Sequence, residues 1–207
     1  QGVTYTDSST KIDINIAPKF YAAVGQKVTG DHIVYPSGAD QLIYTLKYNG
    51  LKEDIIVPAY RGDTLKYQFT LSLPSGVEAR LDRQGNIGIY SADSTLFGNI
   101  KYGSDADQQL IDKARQNSAK THLVATLPYP IIKDSHGTEY GDRAAFTLSE
   151  KVVKQTNGVS KDVPPEVAQK LATKSTRNNY QLGIITKNIK SLSYPISVDP
   201  TIQTSAT

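Results

Sequence analysis

The 207-residue chain contains no cysteine, no methionine and no tryptophan. The lack of cysteine excludes disulfide bonds, thiolate metal sites and thiol nucleophiles. Because no initiator methionine is present, we expect a processed product or fragment, released by signal-peptide removal or another proteolytic cut. No stretch approaches the roughly 20 apolar residues of a membrane span. We therefore expect an extracellular or cell-surface protein of a prokaryote, with no membrane span in this chain.

Charge is nearly balanced. Lys and Arg number 23 against 20 Asp and Glu, which leaves a formal net charge of +3. Such a small excess gives no reason to expect a nucleic acid partner. Hydrophobic residues make up 38% of the chain and charged residues 21%. This mixture indicates a globular domain, large enough to fold without a disulfide or a metal.

Alternation of apolar and polar residues dominates the sequence. Residues 65–73 place five apolar side chains on one face and four polar ones on the other, the pattern of a half-buried strand. Asn49-Gly50 is a strong hairpin signal between two further strands. The pattern predicts a mainly β protein, an antiparallel β-sandwich of jelly-roll or immunoglobulin-like size. We expect about ten strands, at residues 12–16, 41–48, 51–57, 65–73, 77–81, 87–90, 122–127, 145–153, 180–186 and 192–198.

Two segments predict short α-helices inserted into this sandwich. Ser104 is a suitable N-cap for a helix near 103–119, with acids in its first turn and bases in its last. Pro164-Pro165 would begin a second helix, near 164–174. The predicted organisation is an N-terminal extension, residues 1–20, followed by a single sandwich domain, residues 21–207.

Three blocks in one order carry a resemblance to a known module. Residues 34–46 read VYPSGADQLIYTL and 49–57 read NGLKEDIIV; LPYP and DSHG occur at 127–130 and 134–137; residues 192–202 read LSYPISVDPTI. Together, within about 28–202, they resemble the β-rich module of bacterial wall-associated and RHS-repeat secreted surface proteins. The two predicted helices lie between the blocks. The resemblance implies a secreted module and supplies no catalytic residues.

No catalytic residue or cofactor is predicted. The chain has three histidines and no Gly-x-Ser-x-Gly elbow. A resident metal is not expected either. The weak exception is an oxygen-rich loop in which three carboxylates could serve a Ca²⁺ ion: Asp134, Glu139 and Asp142.

Tyrosine is abundant, with 13 residues against 4 phenylalanines. Tyr44, Tyr48 and Tyr67 lie in predicted strands, where an inward ring is the simplest interpretation. Tyrosines outside regular strands are better candidates for a contact surface. These candidates are Tyr5, Tyr21, Tyr35 and Tyr102.

The N-terminal segment predicts self-assembly. Ile12, Ile14 and Ile16 form one apolar face, which can complete the sheet of a neighbouring copy as readily as its own. The favoured function is a non-enzymatic structural subunit of a pilus-like surface filament, built by strand exchange with copies of itself. One alternative is a spacer module of a larger wall-associated or RHS-type protein. Another is an adhesin that binds cell-wall or other glycan surfaces. An isopeptide bond between a buried Lys and Asn is a minor further hypothesis.

Overall fold

A computed structural model describes residues 2–7, 10–19, 27–36, 39–47, 50–92, 122–150 and 177–204. These residues form sixteen strands in two sheets, and every strand pairing is antiparallel. The arrangement is sandwich-like, so the predicted mainly β architecture is confirmed.

The smaller sheet has five strands in the order β1-β2-β7-β14-β13. Its central strand, β7, pairs with β2 on one side and with β14 on the other. The strands are β1 (Val3–Thr6), β2 (Asp13–Pro18), β7 (Lys66–Leu73), β13 (Ala144–Glu150) and β14 (Asn178–Thr186).

The larger sheet has eleven strands. One path through it runs β12-β11-β15-β6-β16-β10-β9-β8, and a branch runs β3-β4-β5 onto β6. Its strands are β3 (Lys27–Thr29), β4 (His32–Pro36), β5 (Gln41–Lys47), β6 (Gly50–Val57), β8 (Val77–Leu81), β9 (Ile87–Ser91), β10 (His122–Leu127), β11 (Ile131–Lys133), β12 (Glu139–Tyr140), β15 (Ile196–Asp199) and β16 (Ile202–Thr204).

Strand β6 organises the larger sheet. One edge pairs with β5 along its length, whereas the other edge is shared by β15, opposite Ile55–Val57, and β16, opposite Gly50 and Leu51. Gly50 is required at this junction, because a Cβ atom there would lie 2.0 Å from the Ile202 carbonyl oxygen.

The two sheets contribute to one hydrophobic core. In β7, the predicted inward row is buried from Tyr67 to Leu73, and Leu65 before the strand is buried too. β8 of the larger sheet contacts β13 and β14 of the smaller one. Residues of the N-terminal extension belong to the same core cluster as the rest of the described chain.

The predicted strand and helix content requires correction. Described residues contain sixteen strands, rather than about ten, and no helix. Each of the ten predicted ranges overlaps an observed strand, although the range 192–198 is a strand only from Ile196 onward. The six additional strands are β1, β3, β4, β11, β12 and β16. Five of these have two to four residues, too few for a visible alternation. The two predicted helices, near 103–119 and 164–174, lie outside the described residues. In the described part of the chain, no helix is long and apolar enough to cross a membrane.

Candidate functional site

The N-terminal segment forms a hairpin at the side of the smaller sheet. Its strands pair from Val3 opposite Ile16 to Thr6 opposite Asp13. β2 then pairs with β7, from Asn15 opposite Ser72 to Pro18 opposite Phe69. We call residues 2–18 the N-terminal hairpin. In the described sheet, the hairpin is attached through its second strand, because β1 pairs with β2 and β2 pairs with β7.

Apolar side chains anchor this hairpin in the core. Ile14 and Ile16 are each 1% exposed and Ile12 is 6% exposed. Tyr5 of β1 is buried with them. The three isoleucines predicted to form an assembly strand therefore fill the core of their own chain in this structure. At about 25 cal/mol per Å² of apolar surface, their burial is a substantial part of what holds β2 on β7.

Polar contacts fix the shape of the hairpin. Asp7 closes its loop, because Oδ2 accepts hydrogen bonds from the Thr10 amide and hydroxyl at 2.8 and 2.5 Å. Lys11 in the same loop has φ of +59°. At the open end, a Cβ atom on Gly2 would lie 2.4 Å from the Ile16 carbonyl oxygen. The hairpin is thus a preformed unit with one apolar face.

Two tyrosines predicted as contact residues lie in the core. Tyr5 is 9% exposed and Tyr35 is 5% exposed. The Tyr35 ring meets Tyr44 edge-on, with centroids 5.9 Å apart. Burial of these rings corrects their assignment to the surface, whereas Tyr21 and Tyr102 lie outside the described residues. Inward rings are confirmed for Tyr44 and Tyr67.

Among the described residues, the exposed tyrosines are ones that the sequence did not single out. Tyr60 and Tyr129 are each 43% exposed. Tyr60 packs edge-on against Tyr194, with centroids 6.3 Å apart. Tyr129 covers Gly141, where an added Cβ atom would lie 2.9 Å from its ring.

The three carboxylates proposed for Ca²⁺ are not brought together as a ligand set. Asp134 Oδ1 accepts the amide N–H groups of His136 and Thr138, both at 3.0 Å, and Oδ2 accepts the Tyr140 hydroxyl at 3.1 Å. Burial raises the pKa of Asp134, but these donors lower it to a value below its ordinary range.

The other two carboxylates of that loop face solvent. Glu139 pairs with Lys133 at 3.6 Å, and Asp142 is exposed. Within the described ranges, no group of three or more His, Cys, Asp or Glu side chains is placed to hold a metal ion.

A buried polar cluster joins the two sheets where β5 and β7 begin. The Asp40 carboxylate contacts the Arg61 guanidinium and accepts the Tyr67 hydroxyl at 3.1 Å. Burial and the Asp40 charge raise the pKa of Tyr67 well above its ordinary value, so its hydroxyl remains a donor. Burial likewise raises the pKa of Asp40, although the Arg61 charge opposes this shift. The sequence carries no signal for the cluster, because Asp40 lies more than twenty residues before Arg61 and Tyr67.

A second charged cluster surrounds Lys52 on β6. Its ammonium group lies 2.5 Å from Asp54 Oδ1 and 3.4 Å from Asp199 Oδ2. Burial lowers the pKa of Lys52, but the hydrogen bond to Asp54 and the Asp199 charge outweigh it and raise the pKa. Lys52 is therefore a cation paired with two carboxylates, whereas formation of an isopeptide bond needs a neutral amine. Buried polar side chains among the described residues include no lysine and no asparagine: Asp7, Asp40, Thr45, Glu53, Ser91, Asp134 and Thr186.

The chain has no significant match to any protein-family model, curated protein or solved structure.

Proposed function

We propose that this chain is a non-enzymatic structural protein of the prokaryotic cell exterior that self-assembles into a filament by exchanging its N-terminal hairpin. The observation that carries the proposal is the way the hairpin is attached. It lies at one end of the smaller sheet, and β2 joins it to the rest through a single strand, β7.

Exchange conserves the contacts that stabilise the hairpin. The antiparallel pairing of β2 with β7 and the burial of Ile14 and Ile16 are the same whether β2 comes from its own chain or from a neighbour. The free energy of these contacts therefore does not oppose exchange, which is why swapped elements are a low-cost route to assembly.

The connection after the hairpin is eight residues long. Residues 19–26 join β2 to β3, and an extended segment of this length reaches roughly 26–29 Å. When each chain gives its hairpin to the next, the contact is head-to-tail, and it propagates as a filament unless the rotation closes a ring.

The proposal is tested by electron microscopy of the full chain, with a free peptide as competitor. We expect regular filaments in negative stain. A peptide of residues 1–20 in excess should occupy the β7 edge and shorten or abolish them. A control peptide with Ile14→Asp and Ile16→Asp should have no effect, because it cannot bury its apolar face.

Discrete particles without filaments at every protein concentration would contradict self-assembly and favour a spacer module. Filaments that ignore both peptides would contradict exchange through the N-terminal hairpin.

A further inference from the structure

A cavity of about 490 Å³ opens beside the Asp40–Arg61–Tyr67 cluster. Its volume is within the range of ligand pockets in proteins, about 300–1,000 Å³. It is formed by the start of β5, the loop between β6 and β7, and the start of β7. The lining residues are Ala39, Asp40, Arg61, Thr64, Leu65, Lys66 and Tyr67.

Two buried side chains hold Arg61 in place. Asp40 and Tyr67, which are 5% and 3% exposed, both contact its Nη2 atom. The Arg61 side chain itself remains 39% exposed. A guanidinium fixed by a buried carboxylate and hydroxyl keeps one orientation, and a ligand does not have to order it on binding.

The Arg61 guanidinium keeps N–H groups that its contacts with Asp40 and Tyr67 do not use. Both of its hydrogen bonds leave from Nη2, so among the described residues the N–H groups on Nη1 and Nε have no protein partner. Nη1 and Nε lie on different edges of the guanidinium, so either one can donate a charge-assisted hydrogen bond to an oxygen of a carboxylate or phosphate.

The charges around the cavity favour an anion. Lys66 adds a second exposed cation, and Thr64 adds an exposed hydroxyl. Among the described lining residues, Asp40 is the acidic one, and its carboxylate is buried against Arg61. Asp63 lies outside the lining, and its Oδ1 accepts the Lys190 amide N–H at 3.0 Å.

The Asp40 carboxylate is costly to bury. Its Oδ1 atom is shielded from solvent and has no hydrogen-bond partner in the described structure. A buried ion pair with an unsatisfied oxygen contributes little net stability. The pair instead holds Arg61, a lining residue of the cavity, in one place.

We propose that this cavity binds an oxyanion group, a carboxylate or a phosphate, through an N–H donor on Nη1 or Nε of Arg61, with Lys66 as a second positive contact. The binding site does not depend on filament formation. Its ligand class is an acidic sugar or a phosphate ester small enough to enter the cavity.

The test is a chemical-shift titration of the ¹⁵N-labelled full chain at low ionic strength. The probes are galacturonate for the carboxylate, glycerol 3-phosphate for the phosphate, and galactose and glycerol as their neutral counterparts. We expect an anion to shift the amides of residues 39–40 and 61–67, and its neutral counterpart to leave them unchanged. The anion that binds more tightly identifies the source of the oxyanion.

Variants separate the Arg61 donors from simple charge. Arg61→Lys keeps the charge but loses the Nη1 and Nε donors, so its affinity should fall about tenfold, the worth of one charge-assisted hydrogen bond. Lys66→Gln, at an exposed position, should weaken binding by up to about fivefold. Arg83→Ala removes an equal charge from the turn between β8 and β9 and should leave affinity unchanged.

Three results would overturn the proposal. They are the absence of shifts at the cavity with both anions, equal binding of galactose and galacturonate, and unchanged affinity in both Arg61→Lys and Lys66→Gln. Because Lys66 is exposed, its variant remains informative even if a change at Arg61 disturbs folding.

Discussion

Tyr44 of β5 lies directly opposite Glu53 of β6, and both side chains point into the core. Glu53 is 3% exposed and its Oε1 atom has no hydrogen-bond partner in the described structure. Burial raises the pKa of Glu53 well above its ordinary value, and the Tyr44 hydroxyl lowers it only in part. The Asp199 and Asp54 charges raise it further. Folding therefore favours the protonated form of this carboxyl group.

Glu53 should make the stability depend on pH. A raised pKa in the folded state means that the stabilisation is full below the unfolded pKa, about 4.3, and is lost as pH rises from there to the folded pKa. We expect Glu53→Gln to unfold at higher temperature than the unmodified chain at pH 7, with the difference disappearing near pH 4. Thermal unfolding across pH 4–8 measures this.

The matched control for that experiment is Glu139→Gln, at an exposed position on β12. It should leave the pH profile unchanged. A Glu53→Gln variant that follows the unmodified chain at every pH would contradict the pKa shift.

Ile14 should be one of the most sensitive positions in the N-terminal hairpin. Truncation to alanine leaves a cavity between β2 and the core, and we expect Ile14→Ala to lower the free energy of unfolding by about 2–5 kcal/mol. Val28→Ala on β3 is the control, because Val28 is 64% exposed. Urea titration of both variants tests the prediction, and an equal, small effect for the two would show that the hairpin is not packed as described.

Asp134 should stabilise its turn rather than bind a metal. Asp134→Ala leaves two amides and a hydroxyl without their acceptor, and we expect it to lower the free energy of unfolding at pH 7. The lowered pKa means that this contribution is present above the unfolded pKa, about 3.9, and is lost as pH falls through the folded value. The difference in free energy of unfolding between the variant and the unmodified chain should therefore become smaller at low pH.

Asp142→Ala, at an exposed position in the same loop, should change stability by less than about 0.5 kcal/mol. Since both Asp134 oxygens already accept protein hydrogen bonds, CaCl₂ should not raise the unfolding temperature of the unmodified chain. A rise with CaCl₂ that Asp134→Ala abolishes would contradict this assignment.

Long, half-buried strands were predictable from the sequence, because their alternation is imposed by one buried face. β7 and the β8–β9 hairpin are examples. Short strands such as β11 and β16 were not predictable from the sequence. They form by pairing with a neighbouring strand, β15 or β6, and have no alternation of their own. The burial of Glu53 could have been predicted, because this residue falls in the inward-facing row of Leu51, Ile55 and Val57.

The sequence did not predict which side chains form clusters. Tyr35 precedes a proline and was interpreted as a surface residue, but pairing of β4 with β5 buries its ring against Tyr44. Asp40, Arg61 and Tyr67 meet because β5 and β7 begin at the same place in the fold. Neither contact has a local signature, since each depends on which strands become neighbours.

The absence of cysteine allows the central claim of hairpin exchange to be tested with a disulfide. Asn15→Cys with Ser72→Cys places two thiols at directly opposed positions of β2 and β7. Thr70→Cys with Gln181→Cys does the same for β7 and β14, which the proposal keeps within one chain.

After assembly and oxidation, both double variants are run on a denaturing, non-reducing gel. Hairpin exchange predicts a ladder of covalent multimers for the first pair and a single monomer band for the second. A monomer band for both pairs would show that each chain keeps its own hairpin and would contradict the account.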